Sequence, residues 1–297
     1  MKNEIKLSII IPHYNNPDLL ENLLKTIPDH PQIEVIVVDD HSTAKLEELS
    51  QCKQKYGTGN ITFYENDFGK KGAGSARNTG IRQAVGEYLL FADSDDWFLP
   101  NFWDSVNEAM ADGTDLIYFA PISQKSNGEK SGRHLHYAEL VNDYLAEPSR
   151  QNELRIRYLY MSPCSKLIKR SVVLGHDICF DEVQFSNDLM FSVKIGHFAQ
   201  SIKASDQVIY CILEHGGSLT TFNDKASIKL REKIFNRFYF YLRKNLKRHD
   251  FKLLGYGLRN DCVQIKSAIS VFLYEHQMGI NRVTTRVWHK LIRSHGK

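Results

Sequence analysis

Residues 86–97 read GEYLLFADSDDW, from Gly86 to Trp97, and this stretch decides the fold. Residues 87–92 form a strand-length, largely apolar run that stops abruptly at Asp93, Ser94, Asp95 and Asp96. A run of this kind suits a strand buried on both faces of a parallel sheet. Three carboxylates crowded at its end repel one another unless a cation joins them, and their hard oxygens suit Mg2+ or Mn2+. An acidic turn in which Asp96 caps the next helix accounts for the same letters, so the surroundings must arbitrate.

Upstream, KLSIII (residues 6–11) and IEVIVV (33–38) are further apolar, β-branched runs. Between them Asn16 is placed to cap a helix that has Pro17 at its first position and Leu19, Leu20, Leu23, Leu24 and Ile27 on one face. The pattern continues with a strand at 61–64, a helix over 75–84, the strand at 87–92, a helix over 100–111 and a strand at 115–119. Strands alternating with helices predict an α/β fold with a mostly parallel central sheet flanked by helices, its ligands at the carboxyl ends of the strands. The polar segment 123–136 reads as an exposed excursion. A helix over 150–160, a strand or turn at 165–173 and a helix from Asp188 to Phe198 follow, and beyond 225 the chain reads as helical.

Two more segments add to the carboxyl edge. The second strand ends in Val38-Asp39-Asp40-His41-Ser42, where an aspartate can accept a hydrogen bond from a base or ribose, or can cap a helix. Gly72-Ala73-Gly74-Ser75-Ala76-Arg77-Asn78 combines flexible backbone, a helix start and an arginine, the ingredients of an anion or diphosphate site. It is not a Walker A loop, and strand 1 is followed by PHYNNP rather than G-x-G-x-x-G, which argues against a dinucleotide-dependent oxidoreductase.

Taken together, Ile9-Ile10-Ile11-Pro12-His13-Tyr14-Asn15, the VVDDHS strand end, GAGSARNTGI and FADSDDW resemble, in order and spacing, the family 2 glycosyltransferases. The resemblance is strong over residues 5–120 and implies a GT-A fold, a nucleoside-diphosphate sugar donor and inversion at the anomeric carbon. It implies that Pro12, Tyr14, Asn15 and Asp40 hold the base and ribose, that Arg77, Asp93 and Ser94 lie along the donor, and that Asp93 and Asp95 form the D-x-D bound to Mn2+ or Mg2+. Ser186-Asn187-Asp188-Leu189-Met190-Phe191 resembles the family's base segment, with Asn187 where an acid is usual; Asp188 is then the catalytic base, although an N-cap for the helix that follows explains it too. Met161–Arg170 resembles the segment that shapes the acceptor side. His215-Gly216-Gly217-Ser218-Leu219-Thr220 resembles the closing motif, which makes His215 a candidate metal ligand.

The resemblance implies transfer of a hexose or N-acetylhexosamine, with UDP the favoured carrier, to a glycan hydroxyl in O-antigen, capsule or lipooligosaccharide synthesis. A polyprenyl phosphate acceptor is the alternative within the same chemistry, and a catalytically inactive sugar-binding or scaffold protein the alternative outside it. Charge divides the chain: residues 225–297 hold 17 Lys/Arg against 4 Asp/Glu, leaving 21 against 31 in residues 1–224. We therefore expect a catalytic domain over 1–224, with a donor half to 120 and an acceptor half beyond it, and a basic helical extension over 225–297. The aromatic and basic run Arg231–Arg248 suits peripheral contact with an anionic inner leaflet, where a lipid-linked acceptor lies. The start of the chain has no secretory pattern, no apolar run reaches membrane-spanning length, and the five scattered cysteines suit a reducing cytoplasm. No nucleic-acid module is recognisable, so nucleic acid is not expected as a partner.

Overall fold

The computed structural model describes residues 4–67, 69–215 and 224–275. The chain forms two compact units, Met1–Thr221 and Phe222–Lys297. The first is built on a seven-stranded sheet whose spatial order is β3-β2-β1-β4-β8-β6-β9. Strands β1 (Leu7–His13), β2 (Ile33–Asp39), β3 (Ile61–Glu65) and β4 (Tyr88–Phe91) run parallel. Strand β8 (Lys166–Lys169) is inserted antiparallel between β4 and β6 (Leu116–Phe119), and β9 (Ile202–Ser205) closes the edge parallel to β6.

The two faces of β1 explain why its centre, Ile9–Ile11, is apolar without a break. Leu7, Ile9 and Ile11 pack with Leu20, Leu23 and Leu24 of α1 (Pro17–Leu24) and with Phe102 and Val106 of α4 (Phe102–Met110). Ile10 faces the opposite way, among Ala76 and Ile81 of α3 (Ala73–Gln83) and Phe191 and Ile195 of α8 (Leu189–Phe198). Each fully buried isoleucine contributes about 1.5–3 kcal/mol, so a polar residue at either set of positions would cost the sheet one of its two covers. Gly80 of α3 shows how close that cover lies: a Cβ there would meet Ile10 Cγ2 at 2.4 Å.

The elements expected from the sequence are present, with local corrections. Asn16 sits at the N-cap position of α1 without a side-chain cap bond, and Pro17 provides the start instead. The 123–136 excursion is not all loop: β7 (Ile122–Lys125) pairs with β10 (Tyr210–Glu214), which also pairs with β5 (Trp97–Phe98) in a second, three-stranded sheet. These strands are short and β7 is a polar edge, so they carry little apolar periodicity to read. Helices α2 (Leu46–Tyr56) and α5 (Leu135–Ala146), and strand β9, were likewise not anticipated. Helices α6 (Arg150–Leu159) and α7 (Arg170–Gly175) complete this unit.

The second unit is helical over its described residues: α9 (Lys225–Asn245), α10 (Arg248–Leu253) and α11 (Leu258–Glu275). Ile234, Phe238, Tyr239 and Leu242 form the buried side of α9, and Gly255 at φ +84° turns the chain after α10. No helix among the described residues is long and apolar enough to cross a membrane.

Candidate active site

Parallel register brings the ends of β1, β2 and β4 to one edge of the sheet, since His13 lies opposite Asp39 and Ile10 opposite Phe91. Just beyond β4 the chain turns tightly, with the Asp96 amide donating to the Asp93 carbonyl at 3.1 Å, before entering β5. One carboxylate oxygen from each of Asp93, Asp95 and Asp96 falls within 4.8 Å of the others. Ser94 lies between them in the turn. Burial pushes the Asp95 and Asp96 carboxyls up, Asp96 strongly, and the neighbouring carboxylates push in the same direction.

Asp96 is not a helix cap. Asn101 occupies the N-cap of α4. Asp96 is buried and points at β10, accepting from the Tyr210 hydroxyl at 2.6 Å and from the Leu213 amide at 2.7 Å. Asp93 and Asp95 remain partly open, and His215 at the end of β10 brings Nε2 to 2.7 Å from Asp95 Oδ2. Gly216–Thr220 of the motif that contains His215 lie outside the described residues. Two accessible carboxylates beside an imidazole, with a third carboxylate behind them, form a donor set that fits a divalent Mn2+ or Mg2+ ion.

Arg77 is the link to the rest of the site. Its buried guanidinium donates from Nη2 to Asp93 Oδ1 at 2.5 Å and from Nη1 to Asn187 Oδ1 at 2.9 Å, with the Phe180 ring 5.2 Å away. The expected anion site is therefore differently made: both terminal nitrogens hold protein oxygens. The two glycines before Arg77 serve different needs, Gly72 a positive φ and Gly74 close approach. Gly72, at φ +146°, donates its amide to Asp40 Oδ1 at 3.0 Å, and a Cβ on Gly74 would lie 2.3 Å from the Asp181 carbonyl and 3.0 Å from Asn187 Cβ.

Asp188 follows Asn187 at the N-cap position of α8, yet its side chain makes no cap bond. The carboxylate is thus not spent on the helix. Burial raises its pKa, opposed first by the Arg77 charge and then by weaker influences that include Lys166. Lys166 itself is buried, donates to the Tyr160 carbonyl at 3.0 Å beside the Tyr160 and Tyr118 rings, and burial lowers it to about 7. Tyr137 of α5 also feels Asp188, burial having pushed its phenol up to about 12.

The nucleotide-side candidates cluster around the ends of β1 and β2. Pro12 is buried opposite Val38, while Tyr14 is 42% exposed with Lys71 Nζ 3.9 Å from its ring centre. Asn15 adopts φ +60°, and its Oδ1 accepts from the amides of Thr43 and Ala44 at 2.7 and 3.0 Å. Asp39 and Asp40 divide the work that the sequence left undivided. Burial pushes Asp39 up, but His13 at 2.9 Å and Ser42 hold it at about 2, whereas Asp40 accepts from Asn66 Nδ2 at 2.6 Å as well as from Gly72. Neither caps α2, whose N-cap is Lys45.

The structure therefore gathers Asp93, Ser94, Asp95, Arg77, Asp188 and His215 around one acidic loop, with Pro12, Tyr14, Asn15 and Asp40 at the neighbouring strand ends. Reading the sequence missed Tyr210, Tyr137 and Asn66, and took Lys166 only as part of the Met161–Arg170 segment. Asn66 had a signal, since it ends β3 at the same edge; a tyrosine in a short strand far along the chain had none.

Residues 8–175 match the family profile described as Glycosyl transferase family 2. The GalNAc(5)-diNAcBac-PP-undecaprenol beta-1,3-glucosyltransferase of Campylobacter jejuni is 34% identical over 135 residues, covering 44% of this chain and 43% of that protein. TarS of Staphylococcus aureus, a poly(ribitol-phosphate) beta-N-acetylglucosaminyltransferase, is 27% identical over 224 residues, covering 72% of this chain and 36% of TarS. The chain thus spans less than half of either relative. The crystal structure of TarS 1–349 in complex with UDP-GlcNAc is similar with a TM-score of 0.63 at 22% identity, covering 84% of this chain and 70% of that one. The mannosyltransferase PcManGT from Pyrobaculum calidifontis, in complex with GDP-Man and Mn2+, is similar with a TM-score of 0.61 at 15% identity, covering 99% and 81%. At these identities the two structures establish the fold, that of GT-A glycosyltransferases.

Proposed function

The chain belongs to glycosyl transferase family 2, and from that premise we propose that it moves a hexose or N-acetylhexosamine from a nucleoside-diphosphate sugar to a hydroxyl of a glycan acceptor, inverting the anomeric carbon. The observation that carries the reading is the Arg77 bridge, which joins Asp93 of the acidic loop to Asn187, the neighbour of Asp188 and 110 positions beyond Arg77 in sequence. Donor-side acid and acceptor-side carboxylate are thereby held in one frame. UDP is the favoured carrier, supported by the UDP-GlcNAc complex of TarS.

In this mechanism Asp188 removes the proton from the acceptor hydroxyl as its oxygen attacks C1 and the bond to the nucleoside diphosphate breaks. Burial fits Asp188 for the task, because a raised pKa makes its carboxylate a stronger base. Pro12, Tyr14, Asn15 and Asp40 orient base and ribose, and residues 121–224 face the acceptor. Asp93, Asp95 and His215 would hold a divalent cation, which would supply charge neutralisation for the departing diphosphate. Residues 1–224 carry this chemistry in a cytoplasmic setting, and the acceptor belongs to a surface glycan assembled on lipid, as the name of the Campylobacter relative describes for that protein.

The basic extension suits the same setting. Lys244, Lys247, Arg248 and Lys252 are exposed around the end of α9 and α10, where Asp250 is buried. We assign them to an anionic leaflet. Reversing all four to Glu should abolish co-sedimentation with anionic vesicles while leaving catalysis on a soluble acceptor intact; unchanged sedimentation removes the assignment.

Calorimetric titration with UDP, GDP and TDP, each with Mn2+ or with chelator, tests the central reading. Metal-dependent binding of one of the three supports it and names the donor class. If none binds in either condition, the donor site has no basis and an inactive scaffold becomes the better description.

A further inference from the structure

All three acids of the loop are tied to β10, and one side chain does most of the tying. Tyr210 is fully buried; its hydroxyl donates to Asp96 Oδ2 at 2.6 Å and accepts from the Asp93 amide at 2.9 Å. The same oxygen thus pins both ends of the four-residue turn Asp93-Ser94-Asp95-Asp96. The Leu213 amide, three residues along β10, takes the other oxygen of Asp96 at 2.7 Å, and His215 reaches Asp95 at 2.7 Å. Without such donors a buried carboxylate would face its desolvation cost uncompensated and the turn would relax. The ring is fixed as well, packed edge-on against Phe98 at 5.4 Å.

We propose that Tyr210 is a positioning residue for the divalent cation: its phenol presets the acidic turn so that Asp93 and Asp95 present their oxygens together, while Asp96 serves as anchor rather than ligand. This rests on the assignment of a metal to Asp93, Asp95 and His215. Outer-shell partners of metal ligands are typically worth about 10–100-fold in metal affinity or activity. Deleting the hydroxyl of such a partner should therefore be felt in metal binding before it is felt in donor binding.

The test is Tyr210→Phe, which removes one oxygen and keeps the ring. Mn2+ affinity of the UDP-saturated protein, followed by the electron spin resonance of free Mn2+, should weaken by about 10–100-fold. UDP affinity in chelator should stay unchanged, and the rate lost at low Mn2+ should return at high Mn2+. Tyr88→Phe is the control, because it deletes a comparable tyrosine hydroxyl, bonded to the Thr114 carbonyl at 2.9 Å, at the opposite end of β4. If both variants bind Mn2+ like the unaltered protein, or both lose it equally, the positioning role is overturned. Hydrogen exchange on the unaltered, metal-free protein is an independent measurement: the Asp93 amide should be protected by the phenol, and fast exchange there overturns the preset turn. Should the unaltered protein bind no Mn2+ at all, the metal assignment falls, and the Asp93 amide still decides whether the phenol holds the loop.

Discussion

Replacing Lys166 by Met should change how stability depends on pH. Burial holds the Lys166 ammonium at about 7 in the folded chain, against 10.5 for an ordinary lysine. Between those values the unfolded chain holds a proton that the folded chain has released, so stability rises with pH through this window and levels off above the unfolded value. From pH 7 to 9 the unfolded lysine stays protonated while the folded one goes from half to almost fully neutral. The gain is about 2 kcal/mol. Lys166→Met keeps the apolar stem beside Tyr118 and Tyr160 and deletes the amine, while Asp188 and Cys164, the charged and titratable groups that act on it, remain common to both proteins. Urea unfolding of both at pH 7, 8 and 9, in chelator, should show the unaltered protein gaining about 2 kcal/mol on the variant across the series. Two curves that stay parallel within roughly 0.5 kcal/mol would refute a buried, proton-shedding lysine under Asp188.

Asp95→Ala should remove metal-dependent donor binding and turnover together; retained turnover in the presence of chelator would strip Asp95 of its assigned part. Asp188→Asn should lower kcat by about 10²-fold or more while UDP binding holds, and equal activity would favour an acceptor that is already anionic, such as a polyprenyl phosphate. As the proposed base Asp188 would have to be ionised, and burial raises its pKa, so activity should fall on the acid side at a pH above the ordinary aspartate value, in a limb absent from Asp188→Asn. Gly74→Ala should destabilise the fold by about 1–3 kcal/mol and lower kcat, since its methyl group would meet the Asp181 carbonyl and push on Asn187. Thermal melts and steady-state rates check both, and a neutral result would show that α3 and the 181–188 segment are not in register.

What the sequence disclosed follows what each residue does physically. Strands such as Leu7–His13 announce themselves, because burial on both faces selects the apolar run Ile9–Ile11, and Ser8 and His13 enter only with hydrogen-bond partners. Carboxylates massed at the ends of two such strands also stand out, and they led to Asp40, Asp93 and Asp95. The same reasoning could not see Tyr210, whose part depends on a hydrogen bond to a residue 114 positions away. It left Asp39 and Asp40 undivided, since only the fold shows that one is bound to His13 and Ser42 and the other to Asn66 and Gly72. It read the glycines of GAGSARN together as part of an anion site, and only the fold shows that Gly74 also lets α3 approach the 181–188 segment. And it read 123–136 as loop, because a polar edge strand in a three-stranded sheet has almost no alternation to display.

The antiparallel strand β8 has a consequence for how the molecule is made. Strand β4 takes β1 on one side as soon as both exist, but its other side must wait for Lys166–Lys169, about 75 residues later in synthesis. At a ribosomal pace of roughly 5–20 residues per second the wait is about 4–15 s. Throughout it, the unpaired edge of Tyr88–Phe91 is open to any strand in reach, and the acids that follow it have neither Arg77's bridge to Asn187 nor β10 to hold them. A nascent chain that has not yet reached residue 166 therefore carries an open strand edge that the finished sheet covers, and every chain passes through that stage.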